Sequence, residues 1–181
     1  MNQGLIPSRY AKAIYEAAAD KKADSRMFEL LKQLAEAFDS EETLAKVMAN
    51  PFVSAADKEA LLTTAAGADA ADTLFADMLR LLADNKRLDM AREIALAYVR
   101  LYREKHGIHK VTVTSAAPLT PKESERLRKL IAAHIGGGTM EYDEKTDPSL
   151  IGGFAVSIGN ERLDASVAAR LKELRLELGA N

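Results

Sequence analysis

The chain contains neither cysteine nor tryptophan. Without thiols there can be no disulfide, no cysteine-ligated zinc and no thiol nucleophile, a composition that suits a reducing compartment. Histidine is almost as scarce. His106, His109 and His134 are scattered and lack the ordered carboxylate partners that a metal site requires. Long apolar runs are missing too: none approaches the ~18–20 residues that span a bilayer, and MNQGLIPSRY lacks the charged-then-apolar order of a secretory signal. Nor is there an excess of one charge. The net charge is −2, with 15 basic against 17 acidic residues in 1–105 and 10 of each in 106–181. Nucleic-acid binding, which draws on clustered Lys and Arg to displace counterions, is therefore not expected.

The glycines suggest phosphate loops but lack their context. Gly136-Gly137-Gly138 and Ile151-Gly152-Gly153 do not continue into Gly-Lys-Ser/Thr, and both lead into strand patterns, so the helix N-terminus that would cradle a phosphate is absent. They read as a helix stop and a tight turn. Asp164 and Ser166 place a carboxylate near a hydroxyl, with no base to complete them. Helix N-capping accounts for the pair better. No catalytic residue, metal or cofactor is expected, and a small nucleotide-binding enzyme remains only a distant alternative.

What the chain does have is helical periodicity. Six amphipathic segments fill 1–105, a length able to bury a core. The first follows Ser8, a candidate N-cap, and runs to Lys21-Lys22. The second starts at Ser25, with Met27, Leu30, Leu31, Leu34, Ala35 and Phe38 on one stripe. A short third, 41–49, ends at Asn50-Pro51, because a residue before proline is pushed out of helical geometry. Ser54 and Asp57 resemble a capping box for the fourth, which Gly67 closes; the fifth spans about 70–83 and the sixth about 86–106, stopped by Gly107. Short loops between such helices describe a bundle.

Two of these helices carry surplus apolar surface. At 100° per residue, the apolar positions of the first cover roughly 240° and those of the fifth roughly 220°, whereas a core-facing stripe needs little more than 100°. One side of each is expected to face inward, through Ala11, Tyr15 and Ala18 and through Phe75, Leu79 and Leu82. The other side, Tyr10, Ile14 and Ala17 with Leu74, Met78 and Leu81, would form a groove for an amphipathic helix of a partner. The same arcs also fit two helices that are simply central in the bundle.

After Gly107 the pattern changes. Lys110 to Thr114 is a β-branched alternation, and Thr120-Pro121-Lys122-Glu123 combines N-cap, proline at the first position and capping-box glutamate. Leu127, Leu130, Ile131 and Ile135 carry that helix to Gly136. A strand follows over 139–145, with Met140 and Tyr142 on one face. Asp147-Pro148 then turns the chain into an alternating strand at Phe154, Val156 and Ile158, and Gly159-Asn160 is a hairpin signal leading to a short strand that ends at Leu163. Val167, Leu171, Leu174 and Leu178 recur at helical spacing. The expected fold is mainly α: a six-helix bundle over 1–105, then a small α+β domain over 106–181 in the order strand, helix, strand, strand, helix.

The stretch DPSLIGG, a hydrophobic strand, a glycine turn and LDASVAARLKEL resemble the C-terminal signature of the delta subunit of F-type ATP synthases, the bacterial counterpart of the mitochondrial oligomycin-sensitivity-conferring protein. SRYAKAIYEAA is similar to that family's N-terminal helix motif, and LLADNKRLD to its junction between the fifth and sixth helices. Family members usually read Asp-Gly-Ser where this chain reads Asp164-Ala165-Ser166.

The resemblance implies a non-catalytic stator subunit. Its helical half would hold the N-terminal helix of an α subunit between the first and fifth helices, at Tyr10, Ala13, Ile14, Ala17, Leu74, Met78 and Leu81. Its second half would meet the C-terminal ends of the b-subunit stalk through the signature residues Leu150, Ile151, Gly152, Gly153, Asp164, Ser166, Arg170, Leu171 and Leu174. By the same resemblance the chain would be a monomer in isolation and would reach the cytoplasmic face of a bacterial membrane only within the complex. A helical adaptor of some other assembly is the alternative.

Overall fold

Pro7 sets where the first helix begins. A computed structural model describes residues 4–159 and 161–179, with Leu174 and residues 176–179 described by their backbone alone. In it α1 spans Leu5–Asp20, so Ser8 lies inside the helix and not at its N-cap; its hydroxyl donates to the Gly4 carbonyl at 2.8 Å. Proline fits the first turn because its missing N–H has no intrahelical acceptor there.

The chain divides into two units, Met1–Arg103 and Glu104–Asn181. In the first, α2 (Asp24–Ser40) packs against α1, α3 (Glu42–Ala49), α4 (Ala55–Ala66) and α5 (Thr73–Asp84). It buries Met27, Phe28, Leu30, Leu31, Leu34, Ala35 and Phe38. The helix central to the bundle is thus α2, not α1 or α5. After a 3₁₀ turn at Leu88–Met90, α6 (Ala91–His106) joins through aromatic side chains: Phe28 stacks on Tyr102 at 4.3 Å between ring centres, and Tyr15 tilts against Tyr98 at 6.1 Å. The Tyr98 hydroxyl donates to the Asp24 carbonyl, and burial pushes its phenol pKa well up.

Local signals end these helices as their residues dictate. The Ser54 hydroxyl accepts from the Asp57 amide at 3.2 Å, and Gly67 closes α4 at φ 64°. Arg26 clamps the turn before α5, donating through Nε and Nη2 to the two carboxylate oxygens of Asp72 at 2.9 and 2.8 Å. That fork holds the Asp72 carboxyl below its ordinary pKa.

The second unit is a four-stranded sheet in the order β2-β1-β3-β4, built from β1 (Ile108–Ser115), β2 (Thr139–Thr146), β3 (Gly153–Ile158) and β4 (Glu161–Ser166). β1 and β2 run parallel, joined by α7 (Pro121–Ile135), while β1–β3 and β3–β4 are antiparallel with Val113 opposite Val156 and Val156 opposite Leu163. The short strand expected up to Leu163 continues to Ser166 and forms one sheet edge; Asn160, half of the hairpin signal, lies outside the described residues. α7 begins with a complete Thr120–Glu123 capping box. It covers one sheet face, where Val111, Val113, Ile131 and Val156 form the core with Met140 and Tyr142 packed against it. α8 (Val167–Gly179) follows β4 directly.

Candidate interaction surfaces

On α1 the buried residues are Pro7, Ala11, Ile14 and Ala18, with Tyr15 half-buried beside them. Tyr10 is half-buried, and Ala13 and Ala17 are exposed. These three lie along one flank of the buried stripe, because positions three, four and seven apart share a helix side. α5 repeats the arrangement: Phe75, Met78, Leu79 and Leu82 are buried, Leu74 is half-buried and Leu81 remains 47% exposed.

Two of the residues expected to face outward therefore do not. Ile14 is 6% and Met78 5% exposed. Each sits about 40° from its neighbour on the flank, near enough to the buried stripe for the bundle to close over it. The outward set is reduced to Tyr10, Ala13 and Ala17 on α1 and Leu74 and Leu81 on α5. A crevice of about 270 Å³ lies between the start of α2 and the start of α5, lined by Arg26, Met27 and Leu30 on one side and Ala71 and Leu74 on the other, with Lys21 at its edge.

The signature of the second unit is a turn built in layers. Asp147 starts it by accepting from the Ser149 amide at 2.9 Å, a bond that lowers the Asp147 pKa. Pro148–Leu150 forms a 3₁₀ turn that buries Leu150. Ile151 then turns outward with φ 65°, and Gly153 follows with φ 75°. A Cβ on Gly153 would stand 2.4 Å from the Ala165 carbonyl oxygen, and one on Gly152 would stand 3.0 Å from Val167 Cγ2. These glycines exist so that the turn, β4 and the start of α8 can touch. Ala165 itself pairs with Phe154 in the ladder and has no positive φ.

Asp164 and Ser166 act in sequence at the start of α8. The Asp164 carboxylate accepts from the Ser166 amide at 3.0 Å, which lowers its pKa, and the Ser166 hydroxyl accepts from the Ala169 amide at 3.1 Å. Both are engaged in capping. Arg170 and Leu171 are exposed on α8; the side chain of Leu174, also expected at this surface, lies outside the described residues, as does that of Leu178.

A further surface was not anticipated. Between α7 and the β3–β4 half of the sheet lies an apolar groove of about 440 Å³, walled by Leu127 and Leu130, floored by Phe154 and Ile158 and edged by Leu163. His134 and Glu161 approach to 3.9 Å at its rim. Leu130 and Leu163 carried the signal, one widening the α7 stripe and the other standing alone among the polar residues of β4. Neither could be separated from core by spacing alone.

Among the described residues no group of three or more His, Asp or Glu is placed to hold a metal ion, and no helix is long and apolar enough to cross a membrane. The family model for the ATP synthase delta (OSCP) subunit matches residues 6–178. This chain belongs to that family. It is 36% identical over 181 residues to the ATP synthase subunit delta of Parabacteroides distasonis, covering 100% of this chain and 99% of that one. With the subunit of the same name from Bacteroides thetaiotaomicron it shares 36% over 176 residues, covering 97% and 94%. A chain of the Toxoplasma gondii mitochondrial ATP synthase hexamer superposes with a TM-score of 0.75 at 22% identity, over 97% of this chain and 98% of that one, a likeness of fold. The delta-family chain is a non-catalytic stator subunit that links the catalytic head of an F-type ATP synthase to its peripheral stalk.

Proposed function

We propose that the first unit holds the N-terminal helix of a head α subunit along the flanks of α1 and α5, and that the second unit holds the C-terminal ends of the b-subunit stalk at the signature turn and the start of α8. The observation that carries the head-side reading is Leu81, 47% exposed on a helix whose Phe75, Leu79 and Leu82 are buried. With Leu74 on the same helix, and Tyr10, Ala13 and Ala17 on α1, it supplies apolar surface against which the i, i+3, i+4 and i+7 anchors of an amphipathic helix can pack. Ile14 and Met78 form the floor beneath these flanks. On the stalk side Leu150, Gly152, Gly153, Asp164 and Ser166 build the turn and cap, while the exposed Ile151, Arg170 and Leu171 face the partner. Membrane association comes only through the assembled complex, at the cytoplasmic face.

Calorimetric titration of the full chain with a synthetic peptide of the α-subunit N-terminus tests the head-side contact. Saturable binding is expected, weakened about tenfold or more by Tyr10→Asp or Leu81→Asp with the helical circular dichroism unchanged. Binding that neither substitution alters would overturn the assignment.

A further inference from the structure

Among the described non-glycine residues three have positive φ: Lys22, Lys86 and Ile151. The two lysines are unbranched and follow the ends of α1 and α5, where the chain reverses. Ile151 differs. It is β-branched and sits at φ 65°, ψ −37°, outside the regions that such a residue adopts without strain. Glycine or asparagine would accept this backbone more readily.

Burial does not account for isoleucine here, because its side chain is 67% exposed. What the geometry secures is direction. Leu150 is buried on one side, and the Ile151 amide donates to the Pro148 carbonyl at 3.0 Å. On the other side the Val167 amide donates to the Gly152 carbonyl at 2.9 Å. The turn that carries Ile151 is thereby bound to the first residue of α8, the helix on which Val167 and Leu171 are 43% and 53% exposed. Val167 and Leu171 stand one helical turn apart and so present an aliphatic ridge. Arg170 and Glu173, paired at 3.8 Å, flank it with one charge of each sign.

We infer that Ile151 is an anchor, held outward by its strained turn, that enters the apolar face of a stalk-subunit helix laid along Val167 and Leu171. This rests on the stalk-side reading above and adds to it a single positioning residue whose fold stability is given up for binding. An aliphatic knob beside a ridge of helical pitch fits the spaces between side chains on an amphipathic helix, and the mixed charges at the edge suit such a helix better than a surface of one sign.

The test compares full-length wild type with Ile151→Gly, Ile151→Asn and Ile151→Val, measuring Tm and affinity for the water-soluble part of the stalk b subunit. Ile151→Gly and Ile151→Asn should melt at or above wild type and bind about tenfold or more weaker, while Ile151→Val, which keeps both the strain and most of the side chain, should stay close to wild type in both. A lower Tm for both Gly and Asn would overturn the inference, since isoleucine would then be supporting the fold. So would wild-type binding that Gly and Asn leave within about twofold, and that result would leave the stalk-side reading standing. A wild-type chain that does not bind the soluble stalk subunit overturns the reading and the inference together.

Discussion

Gly153 shows how a single residue can hold two elements of this protein together. Its φ of 75° and the 2.4 Å approach of its missing Cβ to the Ala165 carbonyl leave no room for a side chain. Gly153→Ala should lower the unfolding free energy by roughly 1–3 kcal/mol, read as a smaller urea midpoint. Asp72 allows a test by pH. Its carboxyl is held below the ordinary pKa by Arg26, so the stabilisation from the pair is present above the unfolded pKa of about 4 and is lost as pH falls through the folded value. The difference in urea midpoint between wild type and Asp72→Asn should therefore shrink as pH is lowered from about 6 to about 2. No change in that difference would mean that the fork contributes nothing to folding. Residues of this kind were unevenly legible. The capping roles of Asp164 and Ser166 followed from residue type and position, but Ile14 and Met78 did not reveal their burial, because 40° of helix rotation separates flank from core and spacing does not resolve it.

At the level of elements, the capping box of α7 was readable in full from Thr120, Pro121 and Glu123, since each satisfies an amide or fixes a φ locally. Thr120→Ala should cost about 1 kcal/mol of stability, measurable by chemical denaturation. The start of α1 was misplaced at Ser8 because a serine ahead of an apolar periodicity reads as an N-cap, whereas the helix begins before it and takes Pro7 into its first turn. Which helix occupies the centre was not legible either. α2 has a clean stripe like any surface helix, and only the packing shows it touching four others. The groove beside α7 escaped for the same reason: Leu127, Leu130 and Leu163 look like core residues until the sheet is found to extend beyond the helix that covers it.

The whole molecule is a linker between two larger bodies, and its chemistry is that of surfaces. A head-side contact and a stalk-side contact in series must both resist torque, and each is reinforced by the others in the assembled complex through effective concentration. Loss of either should uncouple the machine without touching its catalytic sites. The most direct test is proton-driven ATP synthesis by energised membrane vesicles stripped of this chain and then resupplied with it. Stripped vesicles should fail to synthesise ATP while the head still hydrolyses it; wild type should restore synthesis, and the double variant Tyr10→Asp/Leu81→Asp should not. Equal synthesis with and without the chain would contradict the account.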